Sequence, residues 1–297
     1  MIFVAVLFVG CAGPEIPPPI EPKVEREIDL VQPSQIQTEL ESTTIIDIRK
    51  RAEYLSGHLP GAQQLWRDNL QSDEYPFGGM CVGKERLAFL LDSIGCTTGQ
   101  KIVVYDAKGG CDAARLWWML KYYGHHNVQL LDGGLQLWEQ SALAVDTGFT
   151  AAPLSKGFRF VEPGDETLIV SYEQVQAASK DPGVVIVDTR TSEEYDGSAL
   201  KEGAFYAGHI PGSINFDWGR CVEMGSDWKL KSTDAIVSDM VAAGIDTSKR
   251  IITYCHTGVR SAHTTFVMRE LLGFDDVSNY DGSWSEWSFR TLEKMKN

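Results

Sequence analysis

The sequence predicts an α/β protein built from two homologous domains, each a central parallel sheet flanked by helices. The first observation behind this is an internal repeat. Lys101 to Trp138 (KIVVYD through LLDGGLQLW) aligns without a gap on Arg250 to Trp287 (RIITYC through NYDGSWSEW), an offset of 149 residues at both ends. Tyr105 falls on Tyr254, Gly109 on Gly258, Gly124 on Gly273, and Asp132-Gly133 on Asp281-Gly282. The second is alternation: short β-branched runs take turns with amphipathic stretches, the order that gives a parallel sheet covered on both faces. The third is size. At 297 residues, with 43% apolar and 23% charged side chains, the chain has the make-up of about two ordinary globular domains.

In chain order, Ile45-Ile46-Asp47-Ile48 is the first buried-strand candidate, followed by Ile102 to Tyr105, Val184 to Asp188 and Ile251 to Tyr254. Ala113 to Tyr123 and Ala262 to Leu272 read as helices, closed by Gly124 and Gly273. A second pair of motifs repeats ahead of these. Asp47 and Arg49 with Gly57-His58-Leu59-Pro60-Gly61 mirror Asp188 and Arg190 with Gly208-His209-Ile210-Pro211-Gly212. The spacing between copies grows from 141 at Asp47 and Asp188 to 151 at His58 and His209, so the second copy carries ten extra residues between the motifs. The expected domains are 28–147 and 157–297, joined by a linker at 148–156 containing FTAAPLSK.

Lys plus Arg is 27 and Asp plus Glu is 41, a formal charge of −14. So acidic a body repels phosphate backbones and argues against nucleic acid as a partner, so a small anionic substrate needs a locally positive pocket. The six cysteines (Cys11, Cys81, Cys96, Cys111, Cys221, Cys255) form neither a disulfide scaffold nor a C-x-x-C metal or redox pair.

The first eleven residues read as a targeting segment. MIFVAVLFVG is apolar and too short to span a bilayer, which needs about 20 apolar residues. Leu7-Phe8-Val9-Gly10-Cys11 resembles a bacterial lipobox, although no Lys or Arg precedes it and Phe8 stands where Leu is usual. The expectation is cleavage before Cys11, lipidation of its thiol, and a Pro-rich tether over 12–27 holding the domains at the periplasmic face or cell envelope. If 1–11 is not a signal, the expected location is cytoplasmic.

The chemistry is expected where one strand ends. Between Tyr254 and the helix at Ala262 lies Cys255-His256-Thr257-Gly258-Val259-Arg260-Ser261. A tight strand-to-helix loop can turn successive backbone N–H groups inward as an anion-holding nest, and the helix N-terminus adds about half a positive charge there. A cysteine on the floor of such a loop has its thiolate favoured, which makes it a nucleophile. The alternative on loop context alone is a buried structural cysteine.

Asp188-Thr189-Arg190, Gly208-His209-Ile210-Pro211-Gly212, the Cys255 loop and Asp281-Gly282 with Trp287 together resemble the rhodanese family. The paired copies, covering almost everything from residue 28 onward, are similar to its tandem-domain thiosulfate and 3-mercaptopyruvate sulfurtransferases. The resemblance implies that only the C-terminal copy is catalytic, and Asp106, 149 residues before Cys255, occupies the cysteine position of the first copy. It further implies a double displacement through a Cys255 persulfide, with an anionic sulfur donor, a nucleophilic or thiol acceptor such as cyanide, and no metal or cofactor, since the loop's N–H groups stabilise thiolate and persulfide. Arg190 and Arg260 are the expected donor-binding cations. His256, Thr257, Gly258 and Val259 are the expected substrate-binding residues of the loop, and Asp188 orients an arginine or the loop. His58 and His209 occur in both copies and read as turn residues, and Cys111, aligned with Arg260, reads as incidental. Phosphatases of the same fold need five residues between cysteine and arginine. Four separate Cys255 from Arg260 here, a ring that suits one sulfur atom better than a phosphoryl group. His256-Thr257 with Arg260 leans towards thiosulfate over 3-mercaptopyruvate, and a non-catalytic persulfide sensor or relay is the alternative of another class.

Overall fold

The computed structural model describes residues 28–296. The targeting segment, the tether and Cys11 lie outside the described residues. Each half builds a five-stranded, all-parallel sheet. The first contains β1 (Leu30–Val31), β2 (Thr44–Asp47), β3 (Gln63–Gln64), β4 (Ile102–Tyr105) and β5 (Val128–Leu131) in the order β1-β5-β4-β2-β3. The second repeats this with β6 (Ile169–Val170), β7 (Val184–Asp188), β8 (Ile214–Asn215), β9 (Arg250–Tyr254) and β10 (Val277–Tyr280) in the order β6-β10-β9-β7-β8. The register repeats too, since Asp47 pairs with Tyr105 and Asp188 with Tyr254. β4 and β9 are therefore the middle strands, and their C-terminal ends open at the edge where parallel sheets place ligands.

From each middle strand the chain turns directly into a helix, Cys111–Tyr123 in the first domain and Val259–Phe266 in the second. The second helix starts three residues earlier than the pattern of Ala262 suggests, because the loop's own residues form its first turn. It continues as a π-helical stretch, Val267–Leu271. Gly124 and Gly273 both adopt positive φ, as helix-closing glycines do.

These two helices pack against each other across the domain boundary. Trp117 meets Phe266 edge-on at 5.0 Å, and Trp118 donates its indole N–H to the Leu168 carbonyl. One apolar core runs through both halves as a result, with Leu116, Trp117 and Met119 from one side and Phe266, Val267 and Met268 from the other. The chain after the first domain is pinned as well as exposed. Asp92 accepts hydrogen bonds from the Ser155 hydroxyl and from the Gly157 and Phe158 amides. Among the described residues, no helix is long and apolar enough to cross a membrane, and no group of three His, Cys, Asp or Glu side chains could hold a metal ion.

Candidate active site

The first domain shows what the strand-to-helix loop does. Asp106, directly after β4, is buried, and its two carboxylate oxygens accept from the amides of Lys108 (2.8 Å), Gly110 (2.9 Å), Asp112 (2.8 Å) and Ala113 (3.1 Å). The loop is an anion nest, and here its anion is built in.

In the second domain the same loop closes on Cys255, which is 1% exposed. Its Sγ receives the Ser261 hydroxyl at 3.5 Å, and its own amide donates to Ser283 Oγ at 3.1 Å. Burial pushes the Cys255 thiol up. The Arg260 guanidinium, the Ser261 hydroxyl and amide, and the Thr257 amide together outweigh it, and the net direction is down. The other described cysteines go the opposite way. Burial drives Cys81, Cys96 and Cys221 up to about 12 and Cys111 well above its ordinary value. Gly258 must be glycine. It has φ +75°, and a Cβ there would lie 2.6 Å from the Asp281 carbonyl oxygen.

Arg260, in the first turn of the Val259–Phe266 helix, is held in a two-pronged pair by Glu194 at 2.6 and 2.9 Å. Burial resists ionisation of Glu194, but Arg260 overrides it and brings the carboxyl down to about 2. The cation is thereby fixed beside the sulfur by a residue that sequence reasoning did not single out. His256 is largely buried. Its Nε2 meets the Glu202 carbonyl at 2.9 Å, which assigns the proton to Nε2, and Nδ1 has no partner. Burial, then nearby Lys201, lowers its pKa to about 4, so the ring is neutral near pH 7. Glu202 belongs to the ten-residue insertion, which therefore lies against the Cys255 loop. Thr257 faces Gly79 of the first domain so closely that a Cβ on Gly79 would sit 2.7 Å from the threonine Cβ. A cavity with room for about one water adjoins Thr257 and Val259, lined from the other side by Arg67 and Arg115.

Arg190, expected on the donor, is engaged by its own domain. It is 2% exposed, donates through Nε and Nη2 to both Asp188 oxygens at 2.6–3.1 Å, and gives a further bond to the Gly208 carbonyl. Tyr254 donates to the same carboxylate at 2.6 Å. Asp47, Arg49, Gly57 and Tyr105 build the same network in the copy that has no cysteine. An arrangement common to both copies braces the motif turn, and this pairing is what the geometry gives Arg190 in place of an open, unpaired cation. Asp188 thus fixes the orientation of this arginine. His58 and His209 stack on Tyr54 and Tyr195 at 3.9 Å in matching positions.

Sequence reasoning also passed over Ser261, Ser283 and Arg115. For Arg115 a signal was there to find: a single charge inside the apolar run Ala113 to Leu120, where only a buried partner would make it tolerable.

A thiol selectively favoured as thiolate, seated at the end of a middle strand in one of two matching α/β domains, defines a class. The rhodanese-like domain model matches residues 32–141 and 171–289, and the chain belongs to that family in two copies. It is a sulfurtransferase by class. A thiosulfate sulfurtransferase of Pseudomonas aeruginosa is 32% identical over 260 residues, covering 87% of this chain and 93% of the relative. A sulfur carrier protein of Thermus thermophilus is 33% identical over 246 residues, covering 79% and 83%. Among solved structures, the 3-mercaptopyruvate sulfotransferase SseA of Escherichia coli superposes with a TM-score of 0.75 at 27% identity, covering 87% of this chain and 99% of that one.

Proposed function

We propose that the chain moves a sulfane sulfur from thiosulfate to a nucleophilic acceptor through a persulfide on Cys255. The observation that carries this reading is the pair of cradles: one turns four amides onto the side-chain oxygens of Asp106, and the other holds the one described cysteine whose thiol is pushed towards thiolate. In the first step the thiolate attacks the outer sulfur of thiosulfate, a new S–S bond forms, the old one breaks, and its electron pair leaves on sulfite. In the second step cyanide or a thiolate attacks the outer sulfur of the persulfide, and the electron pair returns to Cys255. The amides around the sulfur stabilise the negative charge in both states. Arg260 supplies the local positive charge that an anionic donor needs in a body of charge −14. The loop residues His256, Thr257, Gly258 and Val259 line the donor site, and a donor reaches the covered sulfur only when the groups over it give way.

Turnover of thiosulfate with cyanide tests this, with 3-mercaptopyruvate as the rival donor and para-nitrophenyl phosphate as the phosphatase control. Donor treatment should add about 32 Da to the peptide containing Cys255. A peptide that gains no mass overturns the reading. The sulfur-carrier relative favours a second possibility, delivery to a protein thiol, which loaded enzyme would show by transferring sulfur to a protein acceptor but not to cyanide. For location, the motif Leu7 to Cys11 supports lipidation of Cys11 and a cell-envelope position. Cys11→Ala should then shift the chain from the membrane to the soluble fraction.

A further inference from the structure

Each cradle has a carbonyl at its apex that turns away from its own sulfur or carboxylate and into the other domain. In the first domain this is Gly109, whose carbonyl accepts from His263 Nε2 at 3.0 Å across the boundary. In the second it is Gly258, which accepts from Arg115 Nη1 at 3.2 Å across the same boundary and from Asn279 of its own domain at 3.3 Å. A trans peptide points its N–H opposite to its C=O, so a carbonyl drawn outward aims the next amide inward. The first domain shows the result: the Gly110 amide, next after Gly109, lies 2.9 Å from Asp106 Oδ1. The residue 149 positions further on is Val259, the next amide after Gly258.

Arg115 is 2% exposed and binds three groups that meet at the cradle. Besides the Gly258 carbonyl, it pairs with Asp281 at 2.5 Å and donates to the Gly79 carbonyl at 2.8 Å, behind the glycine that abuts Thr257. Asp281 also accepts the Cys81 amide at 2.9 Å, and the guanidinium lies over the Trp118 ring at 5.0 Å. A buried guanidinium persists only with its donors satisfied. Here much of that satisfaction comes from the opposite domain's loop and from the Asp281-Gly282 turn behind it.

We propose that Arg115 of the first domain is a positioning residue for catalysis: by holding the Gly258 carbonyl outward it sets the Val259 amide towards the Cys255 sulfur. The degenerate domain then supplies part of the geometry that makes the thiol reactive, beyond walling a cleft. This rests on the reading of Cys255 as the sulfur-carrying thiol, but its test needs no sulfur donor.

The experiment is alkylation of the full chain by iodoacetamide, followed at the Cys255 peptide at pH 7 and pH 10, with thermal melting recorded for each variant. Arg115→Met should slow labelling about tenfold at pH 7, the size of one charge-assisted hydrogen bond to the thiolate, and leave the rate at pH 10 unchanged. Arg115→Lys keeps the charge opposite Asp281 but not the fork, and should fall between Met and wild type at pH 7. His263→Phe removes the mirror-image bond, which serves the inert cradle, and should match wild type at both pH values. Three results would overturn the proposal: a wild-type profile for Arg115→Met, equal slowing at both pH values, or His263→Phe slowing as much as Arg115→Met. If Arg115→Met does not fold, Arg115→Lys decides alone, and a wild-type rate at pH 7 then counts against the proposal. Failure of the sulfur-transfer reading would appear separately, as wild-type protein that alkylates readily yet takes up no sulfur.

Discussion

At the end of β4 the loop closes on a carboxylate, and at the end of β9 it closes on a sulfur. The amides that hold Asp106 belong to Lys108, Gly110, Asp112 and Ala113, and 149 residues further on stand Thr257, Val259, Ser261 and Ala262. A carboxylate oxygen lies two bonds beyond Cβ, whereas a thiol sulfur lies one. The outer sulfur of a Cys255 persulfide would therefore reach the place that the Asp106 oxygens fill. On the proposed function, the first domain carries a permanent picture of the loaded state, and the difference between copies is that one occupant can leave. The repeat has kept the device and changed what it holds.

The largest test of this comparison is to make the second cradle like the first. Cys255→Asp should abolish transfer while melting within a few degrees of wild type, since its carboxylate can meet the same amides. Cys255→Ser should be equally inactive. An unfolded Cys255→Asp would break the equivalence. Next comes the cation, because the first copy has Cys111 where the second has Arg260. Arg260→Gln should lower kcat/KM for thiosulfate roughly 10–100-fold, the loss of one ionic contact of about 1.5–3 kcal/mol. The thiolate is the reactive form, so activity falls as pH drops through the thiol pKa. Removing the cation that lowers this pKa moves that limb to higher pH, as a pH–rate profile would show.

A smaller effect concerns stability. The Glu194 carboxyl is depressed from 4.5 to about 2 by Arg260, against the opposing effect of burial. A depressed carboxyl stabilises the fold fully above the unfolded value, and that contribution fades as pH falls from about 4.5 towards 2. Glu194→Gln should flatten acid unfolding in this window, and an unchanged acid limb would contradict the pairing. The smallest effect is expected at Cys111, which burial, then Asp112 and Asp106, keep protonated. Cys111→Ser should retain transfer within about twofold, inside the range of an ordinary conservative change.

Much of the architecture could be read in advance because the repeat is ungapped over the middle strands and the helices after them. Asp106 could be placed by counting alone. The pairing of Arg190 could not, because a motif shared by both copies does not name the arginine's partners. Asp188 and Gly208 come together only through the fold. Arg115 and Glu194 were hidden for a related reason: each acts on the loop from a distant stretch of chain, 143 residues from Gly258 in one case and 66 from Arg260 in the other. The early start of the Val259–Phe266 helix was missed because His256 to Ser261 read as loop chemistry, whereas the nest and the first helical turn are the same residues.

The apolar core that straddles the boundary has a practical consequence for dissecting the protein. Cutting the gene at the linker would strip Trp117, Trp118 and Phe266 of their neighbours, and each truncated half would present a wide oily face to water. Such halves should clump or re-associate rather than behave as two small soluble proteins. Mixing them in equal amounts should restore sulfur transfer that neither shows alone.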